Sequence, residues 1–245
     1  MNLLMKGIIM MVRLIEYTSN PELVVTRAAR TCYMGPTTDI IKSINTPDEK
    51  LIRHLIKRGH HSVLEHASFT FLIDGISRAM THQLVRHRIA SYSQQSQRYV
   101  SLQASKTGQF PYVIPPSIIE AGMEDWFKEK MQLIQKWYDD LCKKLKSRGL
   151  KGEDIYQDAR YILPNATQTR IVVTMNAREL RHFFSLRCCA RAQWEIRSVA
   201  IEMLKQVKKI APILFEDAGP PCIRGSCPED YCSKYHEVVE FFSKL

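Results

Sequence analysis

Residues 86–99 read Arg-His-Arg-Ile-Ala-Ser-Tyr-Ser-Gln-Gln-Ser-Gln-Arg-Tyr. These fourteen residues hold three arginines, a histidine, three serines and three glutamines, with neither lysine nor glutamate. Such a stretch does not fit an apolar core, because a buried donor without a partner costs about 1–3 kcal/mol. Guanidinium groups beside hydroxyls and amides favour an anionic, hydrogen-bonding ligand such as a nucleotide phosphate. A solvated surface loop is the alternative that composition leaves open.

The charge, the cysteine content and the apolar runs of the whole chain limit the classes of protein to which it could belong. The chain has 245 residues and a formal net charge of +10, which favours anionic partners. Its basic residues are spread along the sequence, so small anions in a pocket compete well with nucleic acid. Seven cysteines without a convincing secretory signal predict a reducing, cytoplasmic location. No run approaches the roughly 18 apolar residues of a membrane span, so we expect a soluble protein without membrane association.

Periodicity of apolar residues predicts an alternation of strands and helices. Strands are expected at residues 12–17, 67–73 and 171–175. Helices are expected after Asn20-Pro21, after Thr46 as N-cap with Leu51, Leu55 and Ile56 facing inward, from about residue 76, and then at 118–146, 154–161, 176–187 and 191–210. No linker is apparent, so a single domain over residues 1–245 is predicted, with an uncertain start in 1–11 and a cysteine-containing extension at 216–245.

Two helix starts predict anion sites. Ser62 and Glu65 have capping-box spacing, and so do Asn176 and Glu179. The free amide groups of a helix N-terminus attract anions, and Arg178 adds a positive charge to the second start. On the helix beginning near residue 76, Arg78, His82 and Arg86 are spaced to share one face, with Gln83 beside Arg86.

Metal binding is the less favoured interpretation of the histidines and cysteines. His60, His61 and His66 lack a zinc-binding pattern, and a hydrogen-bonding role for one of them is preferred. Cys222, Cys227 and Cys232 are spaced five residues apart, unlike a zinc ribbon, although a cluster with His236 as fourth ligand remains open. We therefore predict no metal site.

Five sequence blocks, in order, resemble one family. Arg86-His87-Arg88, a gap of seven residues and then Ser96 is similar to a motif of the flavin-dependent thymidylate synthases. The other blocks are residues 59–66 before a Phe-Thr-Phe strand, 159–164, 176–178 and 186–195. The resemblance covers roughly residues 28–210.

The resemblance implies an α+β fold with a small mixed or antiparallel sheet flanked by long helices, assembled as a homotetramer. It implies FAD held between subunits and the methylation of dUMP to dTMP. In that reaction 5,10-methylenetetrahydrofolate supplies the carbon, NADPH is the reductant and tetrahydrofolate is released. Partners are then dUMP, folate and further copies of the chain, with no nucleic acid.

The resemblance also assigns roles to individual positions. Catalytic roles are implied for His60, Ser96 and Arg187. Contacts with dUMP are implied for Gln83, Arg86, Gln94, Gln95, Ser96, Gln97, Arg98, Arg160 and Arg187. Contacts with FAD are implied for Ser62, Glu65, Arg86, His87, Arg88, Ile89, Asn176, Arg178, His182 and Leu186.

The residues leave two alternatives for catalysis. Ser96 could act as a nucleophile, but no general base is paired with it in the sequence, so a hydrogen-bonding role is favoured. Cys188 and Cys189 lie beside Arg187, whose charge is expected to lower a thiol pKa, so a cysteine-based synthase also needs testing.

The chain departs from many members of the family at Gln94, Gln97, His182 and Arg191, and a weaker flavin site follows as a hypothesis.

Two other classes of protein compete with the enzyme. A nucleic-acid-binding module would use the same arginines on phosphates and would bind long polyanions with a steep salt dependence. A metal-dependent phosphohydrolase would need clustered carboxylates, whereas these motifs are basic.

Overall fold

The computed structural model describes residues 10–225, residue 227 and residues 232–245. In this part of the chain, four strands form one antiparallel sheet in the order β1-β2-β4-β3. The strands are β1 (Met11–Tyr17), β2 (Ser68–Ser77), β3 (Ala90–Gln94) and β4 (Gln168–Asn176). With the helices below, the sheet confirms the α+β class.

Eleven α-helices accompany the sheet over the same residues. They are α1 (Pro21–Thr31), α2 (Ile40–Ser43), α3 (Glu49–Arg58), α4 (Arg78–Leu84), α5 (Ala104–Thr107), α6 (Pro116–Glu120), α7 (Glu124–Ser147), α8 (Glu153–Ala159), α9 (Ala177–Arg187), α10 (Trp194–Ile210) and α11 (Tyr235–Ser243). Short 3-10 helices lie at His61–His66, Arg160–Ile162 and Pro221–Arg224. None of the helices described has the length and apolar character needed to cross a lipid bilayer.

The chain divides into two compact units. One contains Ile73–Gln83, Ser93–Ile171 and the described part of Met1–Met11; the other contains Val12–Leu72, Leu84–Tyr92 and Val172–Leu245. A single domain over residues 1–245, with 216–245 as an extension, stays a prediction. Residues 1–9, most of the stretch where the start was uncertain, lie outside the described residues.

The core of the first unit is built on the apolar stripe of α7. Met131, Tyr138 and Cys142 are buried, and Phe127, Ile134, Leu141 and Leu145 pack against the same cluster. The stripe was predicted, but the uninterrupted helix over 118–146 was wrong. Gly122 takes a φ of 69°, a conformation open to glycine at little cost, and separates α6 from α7. Tyr138 is a packing residue, as its burial among apolar side chains indicates.

The core of the second unit combines β2 with α9 and α10. The predicted stripe of α10 is confirmed, because Ile196, Val199, Met203 and Val207 are all fully buried. Phe69 on β2 and Phe184 on α9 both meet the ring of Phe215 edge to face, at centroid distances of 5.5 and 6.0 Å.

Two predicted helix starts are wrong. The N-cap of α3 is Asp48, whose side chain accepts a hydrogen bond from the backbone nitrogen of Leu51, and the expected N-cap Thr46 lies before it. On this helix Ile52 is the buried residue, whereas Leu51 and its inward-facing companions are only partly covered. Ser62 and Glu65 lie within a 3-10 helix that has no side-chain cap.

The polar stretch 86–99 also differs from the expectation. Helix α4 ends at Leu84, so Arg86 does not lie on it with Arg78 and His82. Ala90–Gln94 forms β3, in which half-buried and exposed residues alternate. Strand pairing satisfies the backbone while the serines face outward, so a polar sequence here forms an edge strand of the sheet.

Candidate active site

Helix α9 begins where strand β4 ends, and Asn176 makes the connection. Its Oδ1 accepts a hydrogen bond of 2.9 Å from the backbone nitrogen of Glu179, so the predicted N-cap is confirmed. The carboxylate of Glu179 makes a different contact from that of a capping box: it is buried and lies 3.2 Å from Nδ1 of His87. The helix start therefore brings an acid to the arginine-rich stretch.

His87 connects this carboxylate to Arg187 in the last turn of α9. Nε of Arg187 donates a hydrogen bond of 3.0 Å to Nε2 of His87. Because Nε2 accepts, the proton of the neutral ring is on Nδ1, from which it is donated to Glu179. Phe183 packs edge to face on the imidazole at 4.9 Å. Glu179, His87 and Arg187 thus form a line of hydrogen bonds, which we call the Glu179–His87–Arg187 relay.

Burial sets the protonation of the relay. Burial, followed by the nearby charges of Arg187 and His182, lowers the pKa of His87 from 6.5 to about 4. Burial also raises the pKa of Glu179, against the opposing effects of His182 and Arg178. At neutral pH we therefore expect a neutral imidazole between a carboxylate and a guanidinium.

The backbone around His87 is fixed by Tyr92 of β3. The phenol hydroxyl lies 2.8 Å from the carbonyl oxygen of Leu84 and 2.7 Å from that of His87. Burial raises the pKa of Tyr92, so the hydroxyl stays protonated and able to donate. The turn carrying Arg86 and His87 is therefore anchored at both ends.

We expect stability to fall with acidification because of His87. A histidine with a folded pKa of about 4 and an unfolded pKa near 6.5 binds more protons when unfolded, so its contribution is lost as pH falls between these values. Between pH 7 and pH 5 the loss should be about 2 kcal/mol in the free energy of unfolding, measured by urea titration. The raised pKa of Glu179 acts in the opposite direction, at pH values above its usual 4.5.

The control for this expectation is His87→Gln, which has no titrating group at this position. Its unfolding free energy should change less between pH 7 and pH 5 than that of the unsubstituted chain. Equal losses in the two proteins would contradict the assignment to His87.

A cleft of about 950 Å³ opens on one side of α9 in the second unit. Its walls are rich in basic side chains: Arg53, Lys57, His61, Arg178, Arg181, His182 and Arg224. Carboxylates partner some of these groups, with Glu65 lying 2.5 Å from Arg178, Glu216 lying 2.8 Å from Arg53 and Asp217 lying 2.7 Å from Arg181. The basic side chains of the cleft suit an anionic ligand.

The residues that the resemblance assigns to FAD lie in the second unit, and half of them line this cleft. Those lining it are Glu65, Ile89, Asn176, Arg178 and His182. His87 is buried in the relay. Ser62, Arg86, Arg88 and Leu186 are exposed and outside the cleft lining, as is His60 at the start of the 3-10 helix. Their roles toward FAD and folate stay predictions.

Most residues assigned to dUMP lie in the first unit, where Ser96 and Gln94 make side-chain hydrogen bonds. The Oγ of Ser96 accepts from the backbone nitrogen of Arg98 at 3.1 Å. The side-chain amide of Gln94 donates to Thr81 at 3.1 Å and lies 3.4 Å from Thr169. The other members of this group are Gln83, Gln95, Gln97 and Arg160, while Arg86 and Arg187 belong to the second unit. Binding of dUMP by these residues stays a prediction.

Arg78 contacts one of the residues assigned to dUMP, although the sequence analysis gave it no ligand. Its guanidinium donates to the carbonyl oxygen of Gln95 at 3.3 Å, and burial together with the charge of Arg160 lowers its pKa. Two neighbouring guanidinium groups create a positive potential that an anion would relieve. The spacing of Arg78, His82 and Arg86 in the sequence was the signal that could have identified Arg78. Of these three residues, only Arg86 was assigned to a ligand.

Within the described residues the cysteines form no metal centre, and Cys188 is not an activated thiol. No three histidine, cysteine, aspartate or glutamate side chains described here come together to hold a metal ion. Cys188 is fully buried, and burial raises the pKa of its thiol. The expectation that Arg187 lowers a thiol pKa is wrong for Cys188, because desolvation exceeds the effect of nearby cations.

Comparison with known proteins finds a matching family model and several similar relatives. A family model described as "Thymidylate synthase complementing protein" matches residues 13–213. The chain is 48% identical over 244 residues to a flavin-dependent thymidylate synthase of Clostridium tetani, a match covering 94% of this chain and 96% of the relative. Identity is also 48% to that of Geobacter sulfurreducens, covering 96% and 99%, and 46% to that of Pyrococcus abyssi, covering 89% of each. The chain therefore belongs to the family of flavin-dependent thymidylate synthases.

Proposed function

We propose that this chain methylates dUMP to dTMP with 5,10-methylenetetrahydrofolate as carbon donor and NADPH as reductant, releasing tetrahydrofolate. The observation that carries the proposal is the 48% identity to a flavin-dependent thymidylate synthase over 94% of the chain. The cationic character of the site agrees with it, because dUMP, FAD and folate all carry phosphates or carboxylates.

The residues of the cleft fit FAD. Arginines suited to a pyrophosphate stand beside the N-terminus of α9, which adds positive potential. The residues that would hold the cofactor are Ser62, Glu65, Arg86, His87, Arg88, Ile89, Asn176, Arg178, His182 and Leu186. When bound, FAD would carry the reducing equivalents of NADPH to the methyl group being formed.

The residues that would bind and activate dUMP include Arg187. Methylation requires the uracil ring to become electron-rich at C5, and negative charge then develops on the ring carbonyls. A positioned guanidinium such as that of Arg187 stabilises this charge. Ser96 would orient the nucleotide by hydrogen bonding, and His60 would lie near the folate. The remaining dUMP contacts would come from Gln83, Arg86, Gln94, Gln95, Gln97, Arg98 and Arg160.

The homotetramer is likewise proposed, with cytoplasmic location. Ile89 and Leu186 stand among the proposed flavin contacts and yet are 65% and 47% exposed in the single chain. Large apolar side chains at such positions favour burial by a ligand or another subunit. All seven cysteines are free, in keeping with a reducing compartment.

The test of the proposed function is the visible spectrum of the purified chain under anaerobic conditions. Bound flavin should bleach with NADPH and regain its absorbance only when dUMP and methylenetetrahydrofolate are both added, with dTMP detected as product. A colourless protein that binds long DNA with a steep salt dependence would instead support the nucleic-acid-binding module.

Loss of Arg178 is expected to weaken flavin binding. Arg178→Ala removes a cationic wall of the cleft, and a charged hydrogen bond lost there should lower FAD affinity by about 10- to 100-fold. Fluorescence titration of the apoprotein with FAD measures the change. Arg170→Ala is the matched control, since Arg170 forms an exposed pair with Asp74 in the other unit. Equal FAD affinity in the two variants would contradict a role for Arg178.

The paired cysteines are expected to be dispensable for chemistry. Cys188→Ala together with Cys189→Ala should retain dTMP formation, because Cys188 is a buried, neutral thiol rather than a nucleophile. Single-turnover assays with flavin occupancy measured in parallel test this. Loss of dTMP formation with flavin fully bound would support the cysteine-based alternative.

A further inference from the structure

Glu179 is a buried acid to which the proposed function gives no role. Glu179 is 6% exposed, and its sequence position indicated only a role in capping the helix. Its backbone nitrogen is indeed capped by Asn176, but its carboxylate is directed to His87, which in turn contacts Arg187. A buried acid is costly unless its hydrogen bonds are satisfied, so this arrangement calls for an explanation.

We propose that Glu179 is a positioning residue: through His87 it fixes the imidazole tautomer that accepts from Nε of Arg187 and thereby orients the Arg187 guanidinium toward dUMP. This inference rests on the proposed function, since it assigns Arg187 to the uracil ring. It gives His87 a role inside the protein that does not require its side chain to touch FAD.

The chemistry of imidazole makes the orientation dependent on Glu179. A carboxylate accepts only, so it selects the ring with its proton on Nδ1 and leaves Nε2 as acceptor. Without Glu179, the ring can move its proton to Nε2, where it would face the N–H of Arg187 as a second donor. The contact between His87 and Arg187 would then be lost, and the guanidinium would no longer be held by its Nε.

Protonation would break the relay in the same way. The charged and titratable groups facing it are Arg178, His182 and Arg187 of α9 and Tyr92 of β3. Burial raises the pKa of Glu179, while the pKa of His87 lies near 4, so on acidification Glu179 is the first of the two to be protonated. A protonated carboxyl donates to Nδ1 and drives the ring proton to Nε2.

The experiment compares Glu179→Leu with Glu179→Gln. The glutamine carbonyl can still accept from Nδ1, whereas leucine cannot. We expect Glu179→Leu to lower the rate at which pre-reduced enzyme is oxidised by dUMP and methylenetetrahydrofolate by about 10- to 100-fold, the loss typical of a hydrogen bond to a charged group. The Kd for dUMP should change by less than about threefold, and Glu179→Gln should stay within about threefold of the parent rate, because the hydrogen bond is kept.

Two further measurements separate positioning from stability. Thr70→Val removes the 2.9 Å hydrogen bond between Thr70 and Thr174 in the same unit, and should leave the rate unchanged. The acid limb of the rate profile should move to lower pH in Glu179→Gln, since its titrating carboxyl is gone.

The outcomes are distinct. A Glu179→Leu rate equal to the parent rate, or a loss equal in Glu179→Gln and Glu179→Leu with an unmoved acid limb, would overturn this inference while leaving the proposed function intact. An unsubstituted chain that forms no dTMP would overturn both.

Discussion

Replacing Arg187 with lysine is expected to lower the single-turnover rate of dTMP formation by about 100- to 1000-fold, the range seen when one preorganised donor to a developing negative charge is removed. Lysine keeps the positive charge but lacks the fork of N–H groups and the Nε that binds His87. The variant should fold and should retain flavin, so the loss would fall on the chemical step.

The control for this prediction is Arg170→Lys, the same exchange at an exposed pair of 2.8 Å with Asp74. Exposed pairs contribute little, so its rate and its stability should match those of the parent chain. A rate within about threefold of the parent for Arg187→Lys would remove Arg187 from the proposed activation of uracil, since a lost preorganised donor costs far more than that.

Truncating Phe183 to alanine is expected to cost about 3–5 kcal/mol in the free energy of unfolding, the usual range for a fully buried phenylalanine. Phe183 is completely buried and packs edge to face on His87, so the cavity would open beside the relay. Urea titration at neutral pH measures the loss. Tyr33→Ala, at a side chain 88% exposed, should change stability by less than about 0.5 kcal/mol. Equal effects of the two substitutions would mean that the packing around His87 is not rigid.

The helical stripes could be predicted because they rest on local patterns, whereas the α+β class was implied by the resemblance. The stripe of α10 and the N-cap Asn176 were found since helical spacing and capping chemistry act over a few residues. The break between α6 and α7 at Gly122 was missed because the apolar run continues past it. The N-cap Asp48 was missed because Thr46-Pro47 is an equally plausible helix start by local rules.

The site shows the same division between local and distant information. The basic and amide residues predicted an anionic ligand from sequence alone, and the resemblance assigned individual residues to dUMP and FAD. The relay could not be foreseen, because His87 and Glu179 are 92 residues apart and only the fold brings them together. For the same reason the neighbouring charges of Arg78 and Arg160 became apparent only from the structure.

The carboxylates that partner the cleft arginines have a consequence for how a ligand binds there. An anion that binds at Arg178 and Arg53 would take the place of Glu65 and Glu216 as their acceptors, so its association would exchange one acceptor for another. Added electrolyte weakens the resident pair and the new contact together. Occupancy of the cleft should therefore depend less steeply on ionic strength than occupancy of a cleft whose cations have no carboxylate partners. When the ligand dissociates, the displaced carboxylates would pair with their arginines again.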